Sequence, residues 1–319
     1  MDGMTHAERP PIVAYGPLYP YLTDALASRF TVHAVAADAD LSALPSQVRE
    51  ARALVSFGSV GAPAAIMDAL PKLEMIGLFS VGYDKVDVDH ARASGIRVTN
   101  TPDVLTDDVA DLAVGLLYAT VRNIAANDRM VRAGDWARGV KPALSGRVTG
   151  SRIGILGLGR IGRAIARRLE PVAGEILYHN RREAADAPWR YIADPIDFAR
   201  QSDVLIVATS GGPEAAKLVD AAMLDALGPQ GVLVNISRGG VIDEPALVAA
   251  LADRRIAGAG LDVFVNEPDV PDALLTMDHV VLQPHQGSAT IHSRKAMADL
   301  VLANLDAHFA GKALITPVV

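Results

Sequence analysis

The stretch Ile153-Gly-Ile-Leu-Gly-Leu-Gly-Arg-Ile-Gly162, continued by Ala164-Ile-Ala-Arg-Arg-Leu169, constrains the fold more than any other part of the chain. Residues 153–156 read as a strand and residues 164–169 as a helix packed on it. Between them Gly157 permits a tight turn, Gly159 lets the backbone approach a bound group, and Gly162 lets helix and strand pack closely. A helix opening there turns unpaired N–H groups toward an anion, so the segment predicts a seat for the pyrophosphate of a dinucleotide. Glycines at this spacing also serve plain strand-to-helix turns. The strand before them, the helix after them and a second strand ending near Tyr178 favour the dinucleotide.

Short apolar runs alternate with amphipathic segments along the chain, which is the pattern of an α/β fold with a parallel sheet flanked by helices. Strand candidates are residues 12–14, 31–35, 53–56, 75–79 and 97–99, then 152–156, 175–178, 203–208, 231–237, 259–263 and 280–282. The run 203–208 is nearly all apolar, as a central strand covered on both faces requires. A long helix is expected from near Thr106, with Asp107 and Asp108 at the positive end of its dipole and Val109, Leu112, Ala113, Leu116 and Leu117 inward. A Gly/Pro-containing stretch, 139–150, follows it. The last helix runs from about Thr290 to Phe309 and stops before Gly311.

At 319 residues the chain has room for two domains. It contains no cysteine, so disulfides and thiolate chemistry are excluded. Thirty basic residues against 37 acidic ones, a net charge of −7, argue against a grip on nucleic acid. The opening Met-Asp-Gly-Met-Thr-His-Ala-Glu-Arg-Pro-Pro lacks the apolar core of an export signal. The most apolar helical stretch, 109–121, contains Asp111 and is too short to span a bilayer. The expectation is a cytoplasmic protein that binds neither membrane nor nucleic acid and needs no metal.

After the second nucleotide-domain strand, an NAD site would carry an acid for the adenosine ribose hydroxyls. The sequence instead reads His179-Asn-Arg-Arg182. Arg181 and Arg182 can pair with a 2′-phosphate and Asn180 can hydrogen-bond it, which points to NADP(H); the plainer alternative is a solvated basic turn. Three more ionisable residues follow later strands: Arg238, Glu267 and His285. Ligands of a doubly wound sheet sit outside the carboxyl ends of its strands, so the three can converge on one crevice. Taken singly, each has an ordinary explanation as a turn or loop residue.

With their flanks the three resemble the D-isomer-specific 2-hydroxyacid dehydrogenase family. The resemblance runs through Asn235-Ile-Ser-Arg-Gly-Gly-Val-Ile-Asp-Glu244, Gly260-Leu-Asp-Val-Phe-Val-Asn-Glu-Pro268 and Pro284-His-Gln-Gly-Ser-Ala-Thr290. Ser80-Val-Gly-Tyr-Asp84 and Asn100-Thr-Pro-Asp-Val-Leu-Thr106 extend it over nearly the whole chain. It implies two Rossmann-like doubly wound domains, the nucleotide domain inserted into the other. Residues 1–101 and 288–319 would form a flavodoxin-like substrate-binding domain, and 102–287 the NADP-binding domain.

The resemblance also implies roles. Arg238 holds a 2-oxo acid and polarises its carbonyl; His285 donates a proton to that oxygen, or removes it in reverse; Glu267 stabilises the imidazolium and orients it. Backbone N–H groups at Val81 and Gly82 receive the substrate carboxylate. Gly157, Leu158, Gly159, Arg160 and Ile161 surround the pyrophosphate, Asp262 binds the nicotinamide end, and Ile236 packs near it. The chain departs from the commonest pattern at Val265, where Glu is frequent, and at Thr209-Ser-Gly-Gly-Pro213, where many relatives have Pro-Leu-Thr.

Within the family, Arg181, Arg182 and Arg132-Ala-Gly-Asp-Trp136 are most similar to homodimeric NADPH-dependent glyoxylate/hydroxypyruvate and hydroxyphenylpyruvate reductases. Trp136 then either reaches a neighbouring subunit's site or packs as an ordinary interface residue. Ser288 and Arg294 either touch the far end of a substrate or begin a solvated helix. The implied reaction is reduction of glyoxylate or hydroxypyruvate to a D-2-hydroxy acid, with arylpyruvates or 2-ketogluconate as alternative substrates. L-specific lactate and malate dehydrogenases carry their nucleotide fingerprint near the N-terminus and fit poorly. Phosphoglycerate dehydrogenases usually prefer NAD, and formate dehydrogenases arrange Gln and His differently. Dinucleotide-sensing transcriptional corepressors of the same fold are the alternative from another class.

Overall fold

The computed structural model describes residues 9–319 and divides into two compact units, the chain crossing between them after Leu105 and after Ala289. The first unit is built on β1 (Pro11–Tyr15), β2 (Thr31–Val35), β3 (Ala53–Phe57), β4 (Met75–Phe79) and β5 (Arg97–Thr99), paired in parallel in the order β2-β1-β3-β4-β5. Every residue of β4 is buried, which is why its sequence is a continuous apolar run rather than an alternating one. The final helix, Ile291–Phe309, returns to this sheet and places buried Met297, Val301 and Leu305 inward. Its start is fixed by Thr290, whose Oγ1 accepts from Ser293 N at 2.9 Å. Beyond it the chain forms an antiparallel bridge between Thr99 and Pro317.

The second unit holds β6 (Arg152–Leu156), β7 (Glu175–His179), β8 (Arg190–Tyr191), β9 (Val204–Val207), β10 (Val232–Asn235), β11 (Gly258–Leu261) and β12 (Val280–Leu282). They form one parallel sheet in the order β12-β11-β10-β9-β6-β7-β8. Strand order reverses at β6, which pairs with β7 on one side and β9 on the other. That reversal makes the carboxyl end of β6 the natural ligand crevice of the sheet. The helix Thr106–Val121 buries Val109, Ala113, Leu116 and Leu117 and packs against β10, β11 and the helix Arg160–Leu169. Arg168 joins the two helices by reaching Asp111 at 2.6 Å and Asp107 at 2.9 Å.

The fold is thus the expected α/β class, with two all-parallel doubly wound sheets. Differences are local. The runs 203–208 and 231–237 shorten to β9 and β10, and after β10 the chain turns out of the sheet to form the site. β8 has only two residues, too few to leave a periodic signal. The helix expected from near Thr106 begins at Thr106 itself. Among the described residues no single helix is long and apolar enough to cross a membrane.

Candidate active site

At the carboxyl end of β6 the three glycines differ in what they permit. Gly157 has φ +99°, and a Cβ on it would lie 2.5 Å from Thr209 N. A Cβ on Gly162 would lie 2.1 Å from Gly157 O, so the first turn of the helix Arg160–Leu169 can sit this close only with glycine there. A Cβ on Gly159 would meet no atom within 4 Å. The backbone at Gly159 therefore borders open space at the N-terminus of a ten-residue helix, with Arg160 and Ile161 in its first turn, and the cradle fits a pyrophosphate.

The loop is held from the side by Asn180, whose Oδ1 accepts from Leu158 N at 2.7 Å. That engages the amide oxygen and leaves the amide N–H groups as the part of Asn180 able to reach a ligand. Arg181 and Arg182 lie exposed just beyond β7. Arg181 pairs with Glu214, in the short 3-10 turn Pro213–Ala215. This acid is 33 residues away in sequence, and nothing local in the chain signals it.

The carboxyl end of β10 is organised by Asn235, which is 1% exposed. Its Oδ1 accepts from Ser237 N at 3.0 Å and Ser237 Oγ at 2.8 Å, while its Nδ2 donates to Arg238 O at 3.1 Å. The run Asn-Ile-Ser-Arg is thereby wound into a turn that carries Ile236 inward and Arg238 to the rim, where Nη1 donates to Ser237 O at 2.8 Å. A Cβ on Gly239 would fall 1.9 Å from Phe264 C, so this turn lies directly against the segment leading to Glu267.

Glu267 joins the two neighbouring loops. Its Oε1 accepts from Phe264 N at 3.1 Å and its Oε2 lies 2.8 Å from His285 Nδ1. Burial opposes ionisation of this carboxyl, but the hydrogen bond and charge of His285, the Phe264 N–H and the positive Arg238 outweigh it and hold it below its usual range. A carboxylate facing Nδ1 makes that nitrogen the N–H donor, so Nε2 is the nitrogen presented to a reacting group.

Asp262 positions the imidazole through the backbone. It is 1% exposed, and its two oxygens accept from Gln286 N at 2.6 Å and Gly287 N at 2.8 Å. Its own carbonyl accepts from His285 N at 2.9 Å. His285 is thus clamped in the left-handed region, φ +54°. Burial raises the Asp262 pKa, and the two N–H groups offset part of that effect. The sequence reading gave Asp262 to the nicotinamide; the structure adds that its carboxylate closes the loop bearing His285.

Val81 and Gly82 belong to the other unit, in the turn after β4. The carbonyls around them are engaged: Ser80 O accepts from Thr101 N at 2.8 Å, Val81 O from Asn100 Nδ2 at 2.8 Å, and Gly82 O from Ser80 Oγ at 2.6 Å. Among the described residues no hydrogen bond takes the N–H groups of Val81 and Gly82. The second unit by itself therefore assembles Arg238, Glu267, His285, Asp262 and Ile236 along the carboxyl ends of β10, β11 and β12, in the same sheet as the glycine loop. A cation beside a hydrogen-bonded general acid and carboxylate can polarise a carbonyl and protonate its oxygen. Asn235 and Glu214 are the functional candidates that reading the sequence missed; Asn235 lies within a motif already noted, where its contacts are not visible.

Comparison with known proteins gives a consistent pattern. The family pattern described as D-isomer specific 2-hydroxyacid dehydrogenase, NAD binding domain, matches residues 114–287. The chain is 48% identical to a hydroxyphenylpyruvate reductase from Plectranthus scutellarioides over 95% of its own length and 97% of that protein. It is 46% identical to a glyoxylate/hydroxypyruvate reductase from Arabidopsis thaliana, over 95% and 97%. Among solved structures, an NADPH-dependent glyoxylate/hydroxypyruvate reductase from Sinorhizobium meliloti, in complex with NADP and malonate, superposes with a TM-score of 0.93 at 44% identity, covering 98% of this chain and 97% of that one.

Proposed function

The chain belongs to the D-isomer-specific 2-hydroxyacid dehydrogenase family, and from that footing we propose that it uses NADPH to reduce small 2-oxo acids, glyoxylate and hydroxypyruvate first, to 2-hydroxy acids of D configuration where a stereocentre forms. The observation that carries the proposal is the hydrogen bond between His285 and Glu267 beside Arg238, on the same sheet edge as the glycine cradle. When bound, the reduced nicotinamide supplies the hydride.

The chain's own residues do the rest. Arg238 draws the 2-oxo acid by its carboxylate and carbonyl and stabilises negative charge growing on the carbonyl oxygen. His285 delivers the Nε2 proton to that oxygen, while Glu267 holds the imidazolium through Nδ1. Val81 and Gly82 offer their N–H groups to the carboxylate. Gly157 through Ile161 seat the pyrophosphate, and Asp262 and Ile236 lie toward the nicotinamide. Asn180, Arg181 and Arg182, with no acid directly after β7, favour a 2′-phosphate and hence NADPH over NADH. In this reading the unit 106–289 is the nucleotide domain and the other unit the substrate domain.

The close likeness to a hydroxyphenylpyruvate reductase favours arylpyruvates as the second reading for the substrate. A cytoplasmic homodimer completes the proposal. The solvent-exposed Ile124, Val131, Trp136 and Leu144 support the dimer, because they leave an apolar surface clustered in one segment of the chain. The test is the initial rate of nicotinamide absorbance loss with NADPH and with NADH, against glyoxylate, hydroxypyruvate, pyruvate, phenylpyruvate, hydroxyphenylpyruvate and 2-ketogluconate. Turnover led by glyoxylate or hydroxypyruvate with NADPH is the expected result. Absence of turnover with every substrate overturns the reading in favour of a sensing role.

A further inference from the structure

The cationic segment after β7 is fastened at both ends by tyrosine hydroxyls. Tyr178, in β7, is 1% exposed, and its ring belongs to the interior. Its hydroxyl reaches past the end of the strand to Ala184, accepting from Ala184 N at 3.1 Å and donating to Ala184 O at 3.3 Å. Tyr191 is its neighbour in the pairing of β7 with β8, and the two ring centroids are 5.3 Å apart. The Tyr191 hydroxyl donates to Asn180 O at 3.1 Å. Asn180 is held a second time through its side chain, which accepts from Leu158 N in the glycine loop.

Between the two anchored residues lie only Arg181, Arg182 and Glu183, all exposed. The chain is then returned to β7: Ile192 N donates to Tyr178 O at 3.0 Å, and Ile192 O lies 2.9 Å from His179 Nδ1. Asp186 ties the same loop to the helix Arg160–Leu169 by pairing with Arg163 at 2.7 Å. Phenylalanine would fill the space of either tyrosine ring. Among the described residues the Tyr178 hydroxyl bonds only Ala184 and the Tyr191 hydroxyl only Asn180, so what the two oxygens add to the fold is confined to the path of residues 180–184.

We propose that Tyr178 and Tyr191 are positioning residues for cofactor choice, their hydroxyls holding the backbone of residues 180–184 in the path that presents Arg181 and Arg182 to a 2′-phosphate before the nucleotide arrives. They act through the two arginines rather than by contact with the cofactor. Ordering a free loop on a ligand costs conformational entropy, and a segment ordered beforehand avoids that cost. The advantage goes to a nucleotide whose phosphate the guanidinium groups can pair with, and a nucleotide without that phosphate gains little from it. This inference rests on the NADPH reading above.

The test uses Tyr178→Phe, Tyr191→Phe and the double variant, none of which changes charge. Dissociation constants for NADPH and NADH are read by nucleotide fluorescence titration, alongside kcat at saturating NADPH and the thermal midpoint without nucleotide. Each single variant is expected to weaken NADPH about 3- to 10-fold, and the double variant further, with NADH and kcat changed by less than about twofold. Equal weakening of both nucleotides marks a merely structural role and overturns the inference, as does unchanged NADPH binding in the double variant. If Tyr178→Phe does not fold, Tyr191→Phe decides alone by the same comparison. A wild type that binds NADH as tightly as NADPH defeats the NADPH reading itself, whereas a wild-type preference for NADPH that survives both substitutions defeats only this inference.

Discussion

Glu267 Oε2 lies 2.8 Å from Nδ1 of His285, and the residue it meets is held in a left-handed backbone conformation by Asp262. Two acids thus control one imidazole by different routes: Glu267 through the ring, Asp262 through the main chain on either side of it. Substituting one should leave a different signature from substituting the other.

Removing the ring or its partner tests the acid–base role. His285→Ala is expected to lose about 10²- to 10⁴-fold in kcat while NADPH still binds, as read by nucleotide fluorescence titration. Glu267→Gln should lose less, because a neutral amide still holds the ring but stabilises an imidazolium less than a carboxylate does. Near-normal turnover in His285→Ala would remove it from the mechanism.

Asp262→Asn puts an amide N–H₂ where two backbone N–H groups need acceptors. At a site 1% exposed, one lost acceptor should cost about 1–3 kcal/mol of stability. It should also lower kcat by loosening the 285–287 loop. Denaturant unfolding and steady-state kinetics on the same sample check both effects; an unchanged kcat would show that the clamp is not required.

Cofactor choice should depend on a competition at Arg181. In the proposed reading its partner Glu214 and a 2′-phosphate compete for the same guanidinium. Arg181→Ala combined with Arg182→Ala is expected to erode the NADPH-to-NADH preference on the order of 10-fold. Glu214→Gln should tighten NADPH while leaving NADH unchanged. Equal responses of both nucleotides to Glu214→Gln would rule the competition out.

Stability should fall on mild acidification because of His308. This histidine is 6% exposed, donates from Nε2 to Glu74 at 2.9 Å and turns Nδ1 to Arg97. Burial, then Arg97, pushes its pKa below the ordinary value, with Glu74 opposing and Arg52 adding a smaller push in the same direction. The unfolded chain therefore takes up a proton first as pH drops through about 6.5, and stability present above that pH is lost below it. His279, depressed chiefly by burial, acts in the same sense. Melting temperature is expected to fall between about pH 7.5 and 5.5, with His308→Gln flattening part of the slope; an unaltered slope would absolve His308.

How much of this was legible in the sequence depended on the range of the interaction. β4 could be read because burial on both faces writes a continuous apolar run into five adjacent residues. The glycine turn was equally plain, since each glycine answers a steric demand made by nearby backbone. The order Arg238, Glu267, His285 emerged from strand ends and from family likeness. The pairing of Arg181 with Glu214 did not emerge, nor did the bed of Phe57 and Phe79 under Arg294, because those partners meet only through the tertiary fold. The sequence reading left Arg294 between a substrate contact and a solvated helix start; in the fold its guanidinium lies against Phe57 and Phe79 with Nη1 buried.

The helix that covers β4 is synthesised long after the strand it covers. Between the five-stranded sheet and the helix Ile291–Phe309 lies the whole unit Thr106–Ala289. At ordinary translation rates its synthesis takes about 10 to 40 s. For that interval one face of a fully apolar strand waits without its partner while the inserted unit has time to fold. The first unit is therefore begun before the inserted unit and completed after it, and its exposed sheet is where a holding chaperone would matter most to the newborn chain.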